Sequence, residues 1–220
     1  DEINVNNEPS SATASTYYPT VFDKDTQTYT KSDRGILKLM LGTQEIVVNQ
    51  SIVAGQTKTY SDKMDEVFTV KAGETVSPKI AYLGTWMSGY AYVDYVADGA
   101  FSFAVNADGT PAEGSELVAY SHYQGKNSVG GSANGNDVSG GMLTLPAFTI
   151  PATTAPGIYR MRYKMDWDNI DPAGNNSADN SIVANRGGIV DVLLYVMNDS
   201  ATITQSQRNG EILSADGKVL

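Results

Sequence analysis

Trp86-Met87-Ser88-Gly89-Tyr90-Ala91-Tyr92-Val93-Asp94-Tyr95-Val96-Ala97-Asp98-Gly99-Ala100-Phe101 is the stretch on which the fold turns. From Trp86 to Tyr95, aromatic and β-branched residues alternate with small ones, the period of a half-buried strand, and Asp98-Gly99 supplies a turn. Pro156-Gly157-Ile158-Tyr159-Arg160-Met161-Arg162-Tyr163-Lys164-Met165-Asp166-Trp167 repeats the pattern. No residue set around either stretch looks able to run a reaction. Together they predict an all-β protein: an antiparallel β-sandwich, jelly-roll or immunoglobulin-like, with little or no helix.

Working outward, Ile36-Leu37-Lys38-Leu39-Met40-Leu41 reads as a strand, Gly42-Thr43-Gln44 as a turn and Glu45-Ile46-Val47-Val48 as its partner. Val67-Phe68-Thr69-Val70 precedes Lys71-Ala72-Gly73-Glu74, a hairpin signal, after which residues 76–81 resume the extended pattern. Residues 125–141 are rich in Gly, Ser and Asn and predict a long exposed loop. Residues 142–150, 157–167 and 188–197 supply three more strands, the last two separated by a polar loop over 168–185.

Residues 1–30 read as a polar N-terminal tether, because residues 1–16 hold only Ile3 and Val5 as aliphatics larger than Ala. Residues 31–197 form the expected sandwich, with N-terminal strands in 31–84 that join it or build a small one of their own. Residues 198–220 end in Ile212-Leu213-Ser214-Ala215-Asp216-Gly217-Lys218-Val219-Leu220, a C-terminal hairpin that suggests a further module of a longer chain.

Composition narrows the partners. With 15 basic against 25 acidic residues the formal charge is −10, which repels nucleic acid and acidic lipid surfaces. No apolar run approaches a membrane-spanning helix. The absence of cysteine rules out disulfides, thiolate metal sites and a cysteine nucleophile. A polar opening without an initiator Met fits an exported protein with its leader removed, in the periplasm, outside the cell or on the outer surface of a bacterium.

Asp94-Tyr95-x-x-Asp98-Gly99-x-Phe101, Ser115-Glu116-Leu117-Val118, Pro156-Gly157-x-Tyr159-Arg160-Met161-Arg162 and Gly188-Ile189-Val190-Asp191-Val192 follow one another in that order. The series resembles the GEVED-type domain of secreted and surface proteins of Bacteroidetes, over about residues 85–197. The chain departs from that pattern at Gly187-Gly188-Ile189-Val190-Asp191, where the second acidic position is not kept, and at Val96 and Ala97. The resemblance implies a β-sandwich accessory module of an exported, often multidomain protein, and it implies no reaction.

Three groups of residues carry candidate chemistry. Exposed rings stack on the C–H faces of sugars, which singles out Trp167, Tyr123, Trp86 and Tyr163, with Asp166 and Asp168 as polar neighbours, for a glycan. More than half of the Trp and Tyr rings are expected in the core. Asp94, Asp98, Asn106, Asp108 and Glu116 offer oxygens to calcium, the one cofactor the acidic loops suggest, although Val96 breaks the spacing of a calcium loop. Asp-Gly turns are the simpler account of the same residues. Asp166 and Asp168 share a strand face and would be a glycosidase pair only if further geometry cooperated.

His122 is the sole histidine, so a triad or a histidine zinc site has no support. Arg160 and Arg162 share a face and are expected to anchor a cross-strand carboxylate, Asp191 or Asp94. The expected function is therefore a non-catalytic module that binds glycan or another surface partner. A structural spacer in a larger protein is the alternative, and a glycoside hydrolase the third reading.

Overall fold

The computed structural model describes residues 21–22, 34–50, 60–123, 125–130, 141–166, 181–182 and 187–197, and among these there is no helix. The protein is all-β, as the alternating patterns require. Thirteen strands are numbered in chain order: β1 (Val21–Phe22), β2 (Gly35–Leu41), β3 (Gln44–Val47), β4 (Tyr60–Lys71), β5 (Thr75–Val76), β6 (Pro78–Leu83), β7 (Ser88–Asp94), β8 (Leu117–Ser121), β9 (Met142–Thr144), β10 (Phe148–Thr149), β11 (Gly157–Asp166), β12 (Ser181–Ile182) and β13 (Gly188–Met197).

A four-stranded antiparallel sheet runs β3-β2-β6-β9, and a five-stranded sheet runs β4-β13-β11-β7-β8. The larger sheet is antiparallel apart from its β4 edge, which lies parallel to β13 and is bulged between Lys63 and Val67. One apolar cluster joins the two sheets: Ile36, Leu39, Leu41, Ile80 and Leu143 from the smaller, Phe68, Val93, Met161, Tyr163, Val192 and Leu194 from the larger. The arrangement is a sandwich, and strands from residues 34–83 contribute to both of its layers.

The sheets approach closely at Gly89, where a Cβ would run into Leu143 Cδ2 of the smaller sheet. Tyr163 ties the layers further, its buried hydroxyl donating to the Met40 carbonyl at 3.0 Å.

Period-2 alternation then fixes what the other face of the large sheet carries. On β11, Met161, Tyr163 and Met165 point into the core, so Arg160, Arg162, Lys164 and Asp166 fall on the outer face. Beside them lie Ser88, Tyr90, Tyr92 and Asp94 of β7 and Asp191 of β13, in register. All nine are buried. Phe101, Phe103 and Val105 cover part of this face, packing with Tyr90, Tyr92, Leu117 and Tyr120.

Three expectations need correction. The Lys71-Ala72-Gly73-Glu74 signal is a turn but not a hairpin, since β4 pairs with β13 while β5 pairs with β10. The Gly73 N–H donates across to Ile150, which steers the chain from one sheet to the other. Trp86 is not in the strand that follows it, because Gly84 at φ +117° and Trp86 at φ +59° make a left-handed turn before Ser88. Finally, Val21–Phe22, within the stretch read as a tether, pair in parallel with Ser181–Ile182. The rest of the tether, most of the loops over 131–140 and 168–185, and the hairpin expected in 198–220 lie outside the described residues.

Candidate functional site

An aromatic pair, Trp86 exposed and Tyr123 half-buried, stands at the start of β7. Gly84 is confined by Arg34 and Met87, with a Cβ there 2.9 Å from Arg34 Cγ and 3.1 Å from Met87 Sδ. Met87 is fully buried as the chain enters the core, whereas its neighbour Trp86 keeps 52% of its surface exposed. A non-glycine residue in the left-handed region costs on the order of 1–3 kcal/mol, so the surrounding structure must hold Trp86 there.

Tyr123 arrives from the end of β8. Its N–H donates to the buried Ser88 Oγ at 3.1 Å, which couples it to the same turn. The two rings lie 6.4 Å apart with planes inclined by 32°. His122 sits just inside, packed on Tyr90 and Tyr120 with centroids 5.6 and 5.1 Å away. Its N–H donates to Lys126 and its carbonyl accepts from Gly125, closing the loop beneath Tyr123.

The other rings and acids proposed for a ligand are placed differently. Tyr163 is fully buried between the sheets and cannot stack on a sugar; burial pushes its hydroxyl pKa well up. Asp166 is likewise buried, at the end of β11 opposite Ser88. Trp167 and Asp168 lie outside the described residues.

Of the five residues considered for calcium, two meet and three do not. Asp98 caps the Ala100 N–H at 3.0 Å, and Asp108 accepts from the Thr110 N–H and hydroxyl at 2.9 and 2.8 Å. Asn106 closes that second turn through its side-chain bond to Thr110 at 3.0 Å. These are Asx turns, and the Thr110 bonds hold the Asp108 carboxyl below the usual carboxylate range. No group of three or more His, Asp or Glu among the described residues could hold a metal ion.

Asp94 and Glu116 do come together, both buried, where the loop after β7 bonds its amides to them. Asp94 accepts from the N–H groups of Ala97 at 2.7 Å and Gly99 at 3.2 Å. Glu116 accepts from Ser102 at 2.7 Å and Val96 at 3.4 Å. Burial, with the Asp94 carboxyl adding to it, pushes the Glu116 carboxyl up to about 7 against the pull of those amides. The contact exists because Glu116 is stitched by its backbone to Val93 and Ser102, both at 2.8 Å.

Arg160 and Arg162 do share a face and converge on Asp191. Arg162 binds it side-on, Nε to Oδ1 at 2.6 Å and Nη2 to Oδ2 at 2.7 Å. Arg160 Nε and Nη2 reach Oδ2 at 3.1 and 2.9 Å, and the Tyr60 hydroxyl donates to it at 3.1 Å. Burial alone would raise the Asp191 carboxyl, yet the two guanidinium groups outweigh it and hold it below the usual range. Arg162 also lies 4.9 Å over the Phe101 ring, and Lys164 Nζ 4.7 Å over Tyr90. These charges are enclosed, which makes them a structural network rather than a surface for anions.

No family model and no curated protein sequence matches the chain. Among solved structures, the chain matches a family 123 glycoside hydrolase from Clostridium perfringens at 11% identity and a TM-score of 0.27. The match covers 80% of this chain and 26% of that one, so the chain spans about a quarter of the hydrolase. A likeness that distant carries no argument about activity. No helix among the described residues is long and apolar enough to cross a membrane.

Proposed function

We propose that the protein is a non-catalytic β-sandwich module that binds glycan through Trp86 and Tyr123. The observation that carries this reading is the exposed Trp86 ring, held by a left-handed backbone 6.4 Å from Tyr123. An apolar ring with a polar edge, displayed beside a second, suits the C–H faces and hydroxyls of a sugar. The charge of −10 favours neutral glycans over polyanionic ones.

The resemblance to GEVED-type domains supports the accompanying reading of an exported accessory module, built into a larger protein at a bacterial surface. Burial of Asp166 counts against the glycosidase alternative, since a catalytic carboxyl must reach the scissile bond. The test is retention on a neutral-glycan array and in affinity gels. Binding that falls at least tenfold in Trp86→Ala and Tyr123→Ala, with the melting temperature kept, is the expected result. Absence of retention on every polysaccharide would favour a structural spacer instead.

A further inference from the structure

A sheet edge is a row of unpaired N–H and C=O groups that invites a further strand, and a long edge invites one most. β3 and β9, the rims of the smaller sheet, run for only four and three residues. At the β8 rim of the larger sheet the chain folds back on itself: the His122 N–H donates to Lys126 and the Ser128 N–H to Tyr120, at 2.9 and 3.0 Å. β4, at the opposite rim, is twelve residues long, and among the described residues it pairs with β13 alone.

The groups that β4 turns away from β13 are taken by other partners. Gln44, the first residue of β3, reaches over from the other layer. Its Nε2 donates to the Thr69 carbonyl at 2.7 Å, and its Oε1 accepts from the Thr69 N–H at 2.9 Å. A carboxamide offers N–H and C=O as a peptide unit does, so this two-bond ring is the one that facing residues of an antiparallel ladder make with each other. Alternate residues of a strand aim these groups to the same side, which puts Lys71 beside Thr69 on the outer edge. There the Lys71 N–H donates to Glu74 Oε2 at 2.8 Å, and the Lys71 carbonyl accepts from the Glu74 N–H at 3.1 Å. At the bulge, the Met64 N–H is taken by Asp62 Oδ1 at 2.9 Å.

We infer that β4 is a strand-addition edge held shut by Gln44 and Glu74, and that the partner it fits when opened is β4 of a second copy of this chain. In an antiparallel pair centred on Thr69, the two Thr69 residues exchange with each other the same two bonds that Gln44 now makes. Plug and partner therefore compete for one place. The inference is independent of the glycan reading, since Trp86 and Tyr123 stand by β7 and β8 on the other side of the sheet.

The experiment measures the mass of the intact chain by light scattering over a wide range of concentration, together with amide hydrogen exchange. In the wild type the Thr69 and Lys71 amides should be protected, although no strand among the described residues pairs with that side. Gln44→Ala should lose Thr69 protection in dilute solution and regain it on concentration, as its mass rises toward twice the wild-type value. Adding Glu74→Ala should strengthen the association. Adding Thr69→Pro to Gln44→Ala removes the outward N–H and should restore the wild-type mass, whereas aggregation from lost stability alone would grow worse. An unprotected Thr69 amide in the wild type, a Gln44→Ala, Glu74→Ala double variant with the wild-type mass at every concentration, or association that survives Thr69→Pro would overturn the inference. The wild-type exchange decides the matter even if a variant fails to fold.

Discussion

Two carboxyl centres are buried at the outer face of one sheet, and the chain surrounds them with partners of different kinds. At Asp191 the charge is kept and matched by Arg160, Arg162 and the Tyr60 hydroxyl. At Asp94 and Glu116 backbone amides of the loop bond the carboxyls, and burial pushes the Glu116 carboxyl up to about 7. The difference follows from strand order. Asp191 sits on the strand next to β11 and opposite Arg162, whereas Asp94 is at the end of β7, where the chain turns away into a loop. A charge can be kept in a protein interior only where its partners are rigid.

Removing the charge at the first centre is expected to be the largest single effect. Asp191→Asn leaves two buried guanidinium groups facing a neutral amide, a loss of about 3–5 kcal/mol. The denaturant midpoint should fall with the slope unchanged. Replacing Arg160, Arg162 and Asp191 together by Met, Met and Leu should recover most of that loss, since the desolvation penalty goes with the charges. If Asp191→Asn costs less than about 1 kcal/mol, the network is solvated and the contrast with Asp94 disappears. The same centre sets the acid limit. Asp191 is held below its unfolded value, so its contribution is full above about pH 4 and is lost as pH falls through the folded pKa.

Arg162→Lys keeps the charge and gives up the side-on fork on Asp191 and the planar contact with Phe101. A loss of about 1.5–3 kcal/mol is expected, between that of Asp191→Asn and that of a lost neutral hydrogen bond. Tyr60→Phe removes one of several donors to Asp191 Oδ2 and should cost about 1 kcal/mol. Equal losses for Arg162→Lys and Tyr60→Phe would mean that charge alone, not geometry, holds the first centre.

How much of this could be read beforehand depends on range along the chain. β7 and β11 are legible because each alternates large with small or polar residues over seven and ten positions, and β13 because it is a nearly continuous apolar run. The first half of β4 is not, since Ser61-Asp62-Lys63-Met64-Asp65-Glu66 lies on a sheet edge and carries the bulge against β13. Alternation also told which side chains share a face, hence the pairing of Arg160 with Arg162. It could not tell that the outer face is covered, nor whether Asp191 or Asp94 would be the anchor, because both answers wait on strand order. Asp94 and Glu116 are visible as acids, with calcium one reading of them and turns the simpler one. Their meeting depends on a chain reversal over residues 102–116 that leaves no periodic trace. Trp86 fitted the alternation, and only the tight packing at Gly84 excludes it from the strand.

The smallest expected change is the most informative about the second centre. Glu116→Gln preserves the size of the side chain and an oxygen to accept from the Ser102 amide, so stability near pH 7 should move by no more than about 0.5 kcal/mol. What should change is the pH profile. In the wild type, stability declines between about pH 4.5 and 7, because the folded state holds a proton that the unfolded chain has already given up. In Glu116→Gln that decline should be absent, leaving the loss at low pH owed to Asp191 as the main acid feature. Chemical denaturation at pH 5 and pH 8 therefore reads the second centre alone, since the Asp191 contribution is full at both values. If the wild type is equally stable at both values, Glu116 takes up no proton on folding and the second centre does not depend on pH.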